Sequence, residues 1–146
     1  MSEFLLDTDV VSELRKGSRA DPGVIDFVDR HPADSFWLSV IVIGELHRGI
    51  ELLRRRDPGA AELLEPWFLE LVEQYEERIL SVSTAVALRW GRLGIPDPLP
   101  VADALVAATG RTRFGRGRAP RRRYRSCESV DAGHVDRSGL VSVTTV

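Results

Sequence analysis

The sequence predicts an α/β fold: a central parallel sheet flanked by helices in three layers. Short apolar runs at positions 4–6, 36–39 and 79–82 have the length and composition of strands. Between them lie longer segments with apolar residues at helical spacing. No internal repeat interrupts the alternation. Strands that alternate with helices predict a parallel sheet covered by helices.

The elements follow in order. Phe4-Leu5-Leu6 predicts a buried strand, closed by Asp7-Thr8-Asp9. Thr8 or Asp9 is the expected cap of a short helix holding Val10, Val11 and Leu14 and stopped at Gly17. Asp21-Pro22 opens a second helix, with Val24, Ile25 and Val28 inward and a stop near Pro32. Phe36-Trp37-Leu38-Ser39 is the second strand, and Ser39 caps a long helix. Val42, Leu46, Ile50 and Leu53 form its apolar stripe, and Arg54-Arg55-Arg56 sits at its favourable C-terminal end.

Pro58 begins another helix, with Leu63, Leu64, Trp67, Leu71 and Tyr75 on the apolar side and six glutamates between positions 62 and 77 on the solvated side. Ile79-Leu80-Ser81-Val82 is the third strand. A helix from Thr84 to Leu93 ends at Gly94. Pro96, Pro98 and Pro100 mark a loop, and Pro100 suits the first turn of a helix running from Val101 to Thr109. Trp37, Trp67 and Trp90 fall on apolar faces and are read as core.

A length of 146 residues suits one domain. Hydrophobic residues make up 43% and charged residues 29%, the balance of a soluble globular chain. No apolar run approaches the roughly 18 residues that cross a bilayer. Met1-Ser2-Glu3-Phe4 does not read as a secretory signal. The single cysteine, Cys127, excludes an internal disulfide and a cysteine zinc cage, so a cytoplasmic location is expected. His31, His47 and His134 share no metal-ligand spacing. Ser12 and Ser39 lack a His-Asp pattern for nucleophilic catalysis, and Gly115-Arg116-Gly117 has neither the strand nor the helix of a phosphate loop.

Three acids stand in unusual places. Asp7 follows an apolar strand directly, and ligand sites of open α/β sheets lie beyond the carboxyl ends of strands. Glu45 lies beside the apolar stripe of the long helix. Asp103 falls in the first turn of a nearly all-apolar helix. Clustered carboxylates repel, and a hard divalent cation with oxygen ligands relieves the repulsion. Each acid also has an ordinary reading. Asp7 can cap the following helix, Glu45 can pair with Arg48 at the surface, and Asp103 can favour a helix N-terminus.

The strings around these acids add a resemblance. Leu5-Leu6-Asp7-Thr8-Asp9-Val10-Val11-Ser12-Glu13-Leu14, the run from Trp37 through Glu45 to Ile50, and the run from Leu99 through Asp103 to Thr109 resemble, in order, three motifs of PIN-domain ribonucleases. The likeness is to the VapC-type toxins of type II toxin–antitoxin systems and covers about residues 3–110. It implies a PIN-like three-layer fold with three or four clustered acids. It implies RNA cleavage with Mg2+ or Mn2+, usually a homodimer, and a small antitoxin that blocks the acidic site. By motif position Asp7, Glu45 and Asp103 carry over as catalytic, metal-binding acids. Thr8 and Asp9 could orient the first acid or bound water; Asp9 stands where asparagine is common.

The chain then departs from that pattern. Residues 111–146 carry nine arginines against Glu128, Asp131 and Asp136, a net of +6. The first 110 residues hold 11 basic and 19 acidic groups, a net of −8. Where the family has a further strand and a fourth acid, this chain has Arg121, Arg122 and Arg123. No acid occurs between Asp103 and Glu128, and only residues 140–146 have strand composition. The expected organisation is a 1–110 core and a 111–146 tail with a disrupted last strand. Three readings of the tail stand. A shifted reading frame in a GC-rich gene would give its Arg/Gly/Pro composition abruptly after an intact motif. A basic arm with Phe114 and Tyr124 among its arginines would track a phosphate backbone. A disordered solvated tail has the same composition. Without the fourth acid, weak or absent ribonuclease activity is expected. The alternative function is a catalytically inactive PIN-like protein that binds an antitoxin or RNA, with residues 58–77 and 22–30 as part of a protein-binding surface.

Overall fold

A computed structural model describes residues 3–93, 95–97, 99–115 and 143–145, the last three by backbone alone. Strand β1 is Phe4–Leu6, β2 is Phe36–Ser39, β3 is Ile79–Leu80 and β4 is Val143–Thr145. The helices are α1 (Thr8–Leu14), α2 (Pro22–Asp29), α3 (Val40–Arg54), α4 (Pro58–Gln74), α5 (Thr84–Trp90) and α6 (Val101–Arg113). The sheet order is β3-β2-β1-β4. β1 and β2 are parallel, with Phe4 opposite Phe36 and Leu5 opposite Trp37. β2 and β3 are parallel, with Leu38 opposite Ile79. The expected parallel α/β sheet is therefore present. β4 adds to the other edge of β1 antiparallel, with Leu6 opposite Val143, and falls in the segment of strand-like composition. From Arg116 the arginine-rich stretch, with Cys127, Glu128 and His134, lies outside the described residues.

All three residues of β1 are buried, as a strand covered on both faces requires. Leu5, Leu6, Leu38, Val10, Val24 and Val42 are the largest fully buried apolar side chains among the described residues. Ser39 caps α3 as expected, its Oγ accepting from the Val42 amide at 3.3 Å. Val42, Leu46 and Ile50 are buried along that helix. Gly17 has φ 59°, a conformation open to glycine, where the first helix was expected to stop.

Several expectations need correction. α1 is capped by Asp7, whose Oδ1 accepts from the Val10 amide at 2.9 Å, and not by Thr8 or Asp9. Leu63, expected on the apolar side of α4, is 81% exposed. The buried residues there are Ala61 and Phe68, with Leu64, Leu71 and Tyr75 partly buried on the same stripe. Two positions from Ala61, Leu63 sits on the far side of the helix. β3 stops at Leu80, because Ser81 and Val82 leave the sheet and Ser83 caps α5. α5 ends at Trp90, which is exposed rather than core; only Val86 of that helix is buried. α6 runs past Thr109 to Arg113. Thr112 Oγ1 donates to the Ala108 carbonyl at 2.7 Å, and Arg111 and Arg113 suit the negative end of the helix.

Candidate acidic site

Parallel strands bring their carboxyl ends to one edge of a sheet. Asp7 follows β1 there, and Ser39 passes the chain from β2 into α3, which carries Glu45. Thr8, the first residue of α1, donates its hydroxyl to Glu45 Oε2 and so ties the end of β1 to α3. Asp103 enters from the first turn of α6, which packs on α3.

Asp103 is the acid whose surroundings reveal the grouping. Loss of hydration raises its carboxyl above the ordinary value, and the negative charges of Glu45 and Asp9 raise it further. Residue 103 is exposed overall, so the loss of hydration is partial. Asp103 thus lies within reach of the charge of Glu45, another of the expected site residues, and of Asp9. Asp7 sits at the same strand end with one oxygen engaged as a helix cap. Asp9 was read as a cap candidate and as a residue that could orient Asp7 or bound water; its place in the first turn of α1 was the signal for a further acid of the group.

All these groups are hard oxygen donors, the set that suits Mg2+ or Mn2+. Among the described residues no three His, Cys, Asp or Glu side chains are gathered closely enough to hold an ion by themselves. Mg2+ usually keeps several waters and takes one or two carboxylates, so the donors present fit a water-rich site and not a closed cage.

The raised carboxyl has a consequence for stability. The folded state holds the Asp103 proton more tightly than the unfolded state does. That advantage is present below the unfolded value and is lost as pH rises through the folded one. At neutral pH the ionised group works against folding. Asp103→Asn is expected to raise the melting temperature at pH 7, in chelator, by about 1–4 °C after allowance for solvent screening. The gain should vanish near pH ~3, below the ordinary aspartate value. An unchanged or lower melting temperature at pH 7 would show that the repulsion is absent.

A second feature lies elsewhere. A groove of about 490 Å3 runs between α1, α2 and α4, and Leu14, Val28, Phe36, Trp67, Leu71 and Tyr75 help to line it. None of the three expected site acids lines it. Arg15 lies over the Trp67 ring at 5.8 Å. Arg78 fastens one end: Nη1 donates to the Ala33 and Phe36 carbonyls at 2.5 and 3.2 Å, and Nη2 to the Gln74 carbonyl at 3.1 Å. Its guanidinium also covers the Tyr75 ring at 4.6 Å. Burial pushes the Tyr75 phenol up, and Arg78 offsets part of that.

No protein-family model matches the chain. Over 114 residues it is 30% identical to the plasmid stability protein StbB of Pseudomonas syringae pv. tomato (strain ATCC BAA-871 / DC3000), covering 72% of this chain and 78% of that protein. The chain belongs to the StbB family of plasmid stability proteins. Its fold is shared with solved structures. A chain of FitAcB from Neisseria gonorrhoeae superposes with a TM-score of 0.63 at 26% identity, over 75% of this chain and 81% of that one. A chain of FitAB bound to an IR36 DNA fragment gives 0.65 at 23% identity, over 75% and 78%. The StbB relationship and the shared fold both cover most of the chain. No helix among the described residues is long and apolar enough to cross a membrane.

Proposed function

We propose that this StbB-family chain is the toxin of a toxin–antitoxin module, a PIN-type endoribonuclease that hydrolyses RNA phosphodiester bonds with Mg2+ or Mn2+. The observation that carries this reading is the Thr8–Glu45 hydrogen bond, which ties the end of β1, with Asp7 and Asp9, to the acid of α3, while Asp103 of α6 lies within reach of the Glu45 and Asp9 charges. Mutual repulsion among carboxylates is costly to keep unless a cation relieves it. Asp7 and Asp103 are the proposed direct ligands, and Glu45 completes the set or holds a coordinated water. When bound, the cation supplies Lewis acidity toward a phosphodiester. The side chains position it and keep negative charge around it. A role in plasmid stability fits the toxin of such a module. The partners proposed are RNA, a cognate small antitoxin and a second copy of the chain, all in the cytoplasm.

The test uses the purified full chain on single-stranded and structured RNA, with Mg2+, Mn2+ or EDTA. Slow cleavage that EDTA abolishes is expected, slow because the acidic set lacks the family's fourth member. Cleavage unaffected by EDTA would overturn metal dependence. One observation favours a second reading, the groove between α1, α2 and α4. Its aromatic and aliphatic lining suits an amphipathic segment of a small partner protein. No cleavage with either metal, together with tight binding of the antitoxin encoded beside it, would assign the chain to that non-catalytic class.

A further inference from the structure

Glu45 lies half-buried beside the apolar stripe of α3 and has several side-chain torsions, so α3 alone does not decide where its carboxylate points. The partner that decides it comes from the other end of the site. We propose that Thr8 is a positioning residue for the acidic site, its hydroxyl holding the Glu45 carboxylate in the orientation that receives a divalent cation. This rests on the metal-dependent reading above.

Three features carry it. The Thr8 hydroxyl donates to Glu45 Oε2 across 37 positions of sequence, so the bond joins two elements and is no local helix contact. Thr8 is itself fixed. It is the first residue of α1, whose opening turn is pinned by the Asp7 side chain on the Val10 amide and by the Asp7 carbonyl on the Val11 amide at 3.1 Å. Its β-branched side chain is restricted to about two χ1 rotamers in a helix, and the bond to Glu45 takes one of them. Finally, the bond engages one carboxylate oxygen and leaves the carboxylate charged and able to accept elsewhere. Partners of this kind orient metal-binding groups, and their loss typically weakens metal affinity about 10–100-fold.

The experiment measures Mn2+ binding to the full chain by calorimetry, with thermal melts of each variant. Thr8→Val is expected to weaken Mn2+ binding about 10–100-fold. Thr8→Ser, which keeps the hydroxyl, should recover most of the affinity. In a Glu45→Gln background, Thr8→Val should weaken binding no further. Thr8→Ala, which adds no bulk, makes the same comparison where Thr8→Val melts too early. Wild-type Mn2+ affinity in Thr8→Val or Thr8→Ala, with binding still weakened in Glu45→Gln, would overturn the role of Thr8 and leave the metal site standing. A Thr8 effect of full size in the Glu45→Gln background would also overturn it, since it would not act through Glu45. Identical Mn2+ binding by the wild type, Glu45→Gln and Asp103→Asn would overturn the metal site itself, and the role of Thr8 with it.

Discussion

Asp7→Asn and Asp103→Asn are each expected to lower RNA cleavage by about 100-fold or more, while the circular dichroism spectrum is unchanged. Removing one group that stabilises transition-state charge costs on the order of 100–1,000-fold. The Asn replacements isolate charge from structure. Asparagine caps helices as well as aspartate does, so the Val10 amide, now 2.9 Å from Asp7 Oδ1, keeps a partner in Asp7→Asn. At Asp103 the two properties should move in opposite directions. The carboxyl is raised by lost hydration and by Glu45 and Asp9, so removing its charge favours folding at pH 7 and disables cleavage. An acid held there to stabilise the fold would instead lose stability when replaced. Full cleavage by both purified Asn variants would reject the assignment.

The sequence made the frame of this site legible and left its internal wiring hidden. Strand ends were readable because Phe4–Leu6 and Phe36–Ser39 are short apolar runs followed by capping residues. Ser39 and the Val42–Leu46–Ile50 stripe were legible for the same reason: caps and helical periodicity are local signals. The choice among Asp7, Thr8 and Asp9 as the cap of α1 was not. All three residue types cap helices, and only the fold shows that Asp7 takes the role and frees Thr8 for Glu45. A hydroxyl meeting a carboxylate across 37 positions leaves no mark in local pattern. The stripe on α4 was misread because Leu63 outranks Ala61 in hydrophobicity. A tight α3–α4 contact instead buries Ala61 fully and turns Leu63 to solvent. Residues from 22–30 and 58–77 line part of the groove, which also draws on α1 and β2.

Leu38→Ala is expected to destabilise the chain by about 2–5 kcal/mol, a large share of the roughly 5–15 kcal/mol that holds a domain together. Leu38 has no exposed surface and lies in β2 between its neighbours β1 and β3, opposite Ile79. Truncation removes burial and leaves a cavity that a sheet paired on both sides collapses only in part. Leu63→Ala is the matched control. At 81% exposure it should change stability by no more than about 0.5 kcal/mol, although both are leucines in regular structure. Urea unfolding of the full chain reads both, as a lowered midpoint with an unchanged slope for Leu38→Ala. Equal midpoints for the two variants would show that β2 is not central to the core. The consequence reaches the acidic site, because Ser39, which follows Leu38, caps the helix that carries Glu45. A loosened β2 should therefore weaken Mn2+ binding at temperatures where most of the protein is still folded.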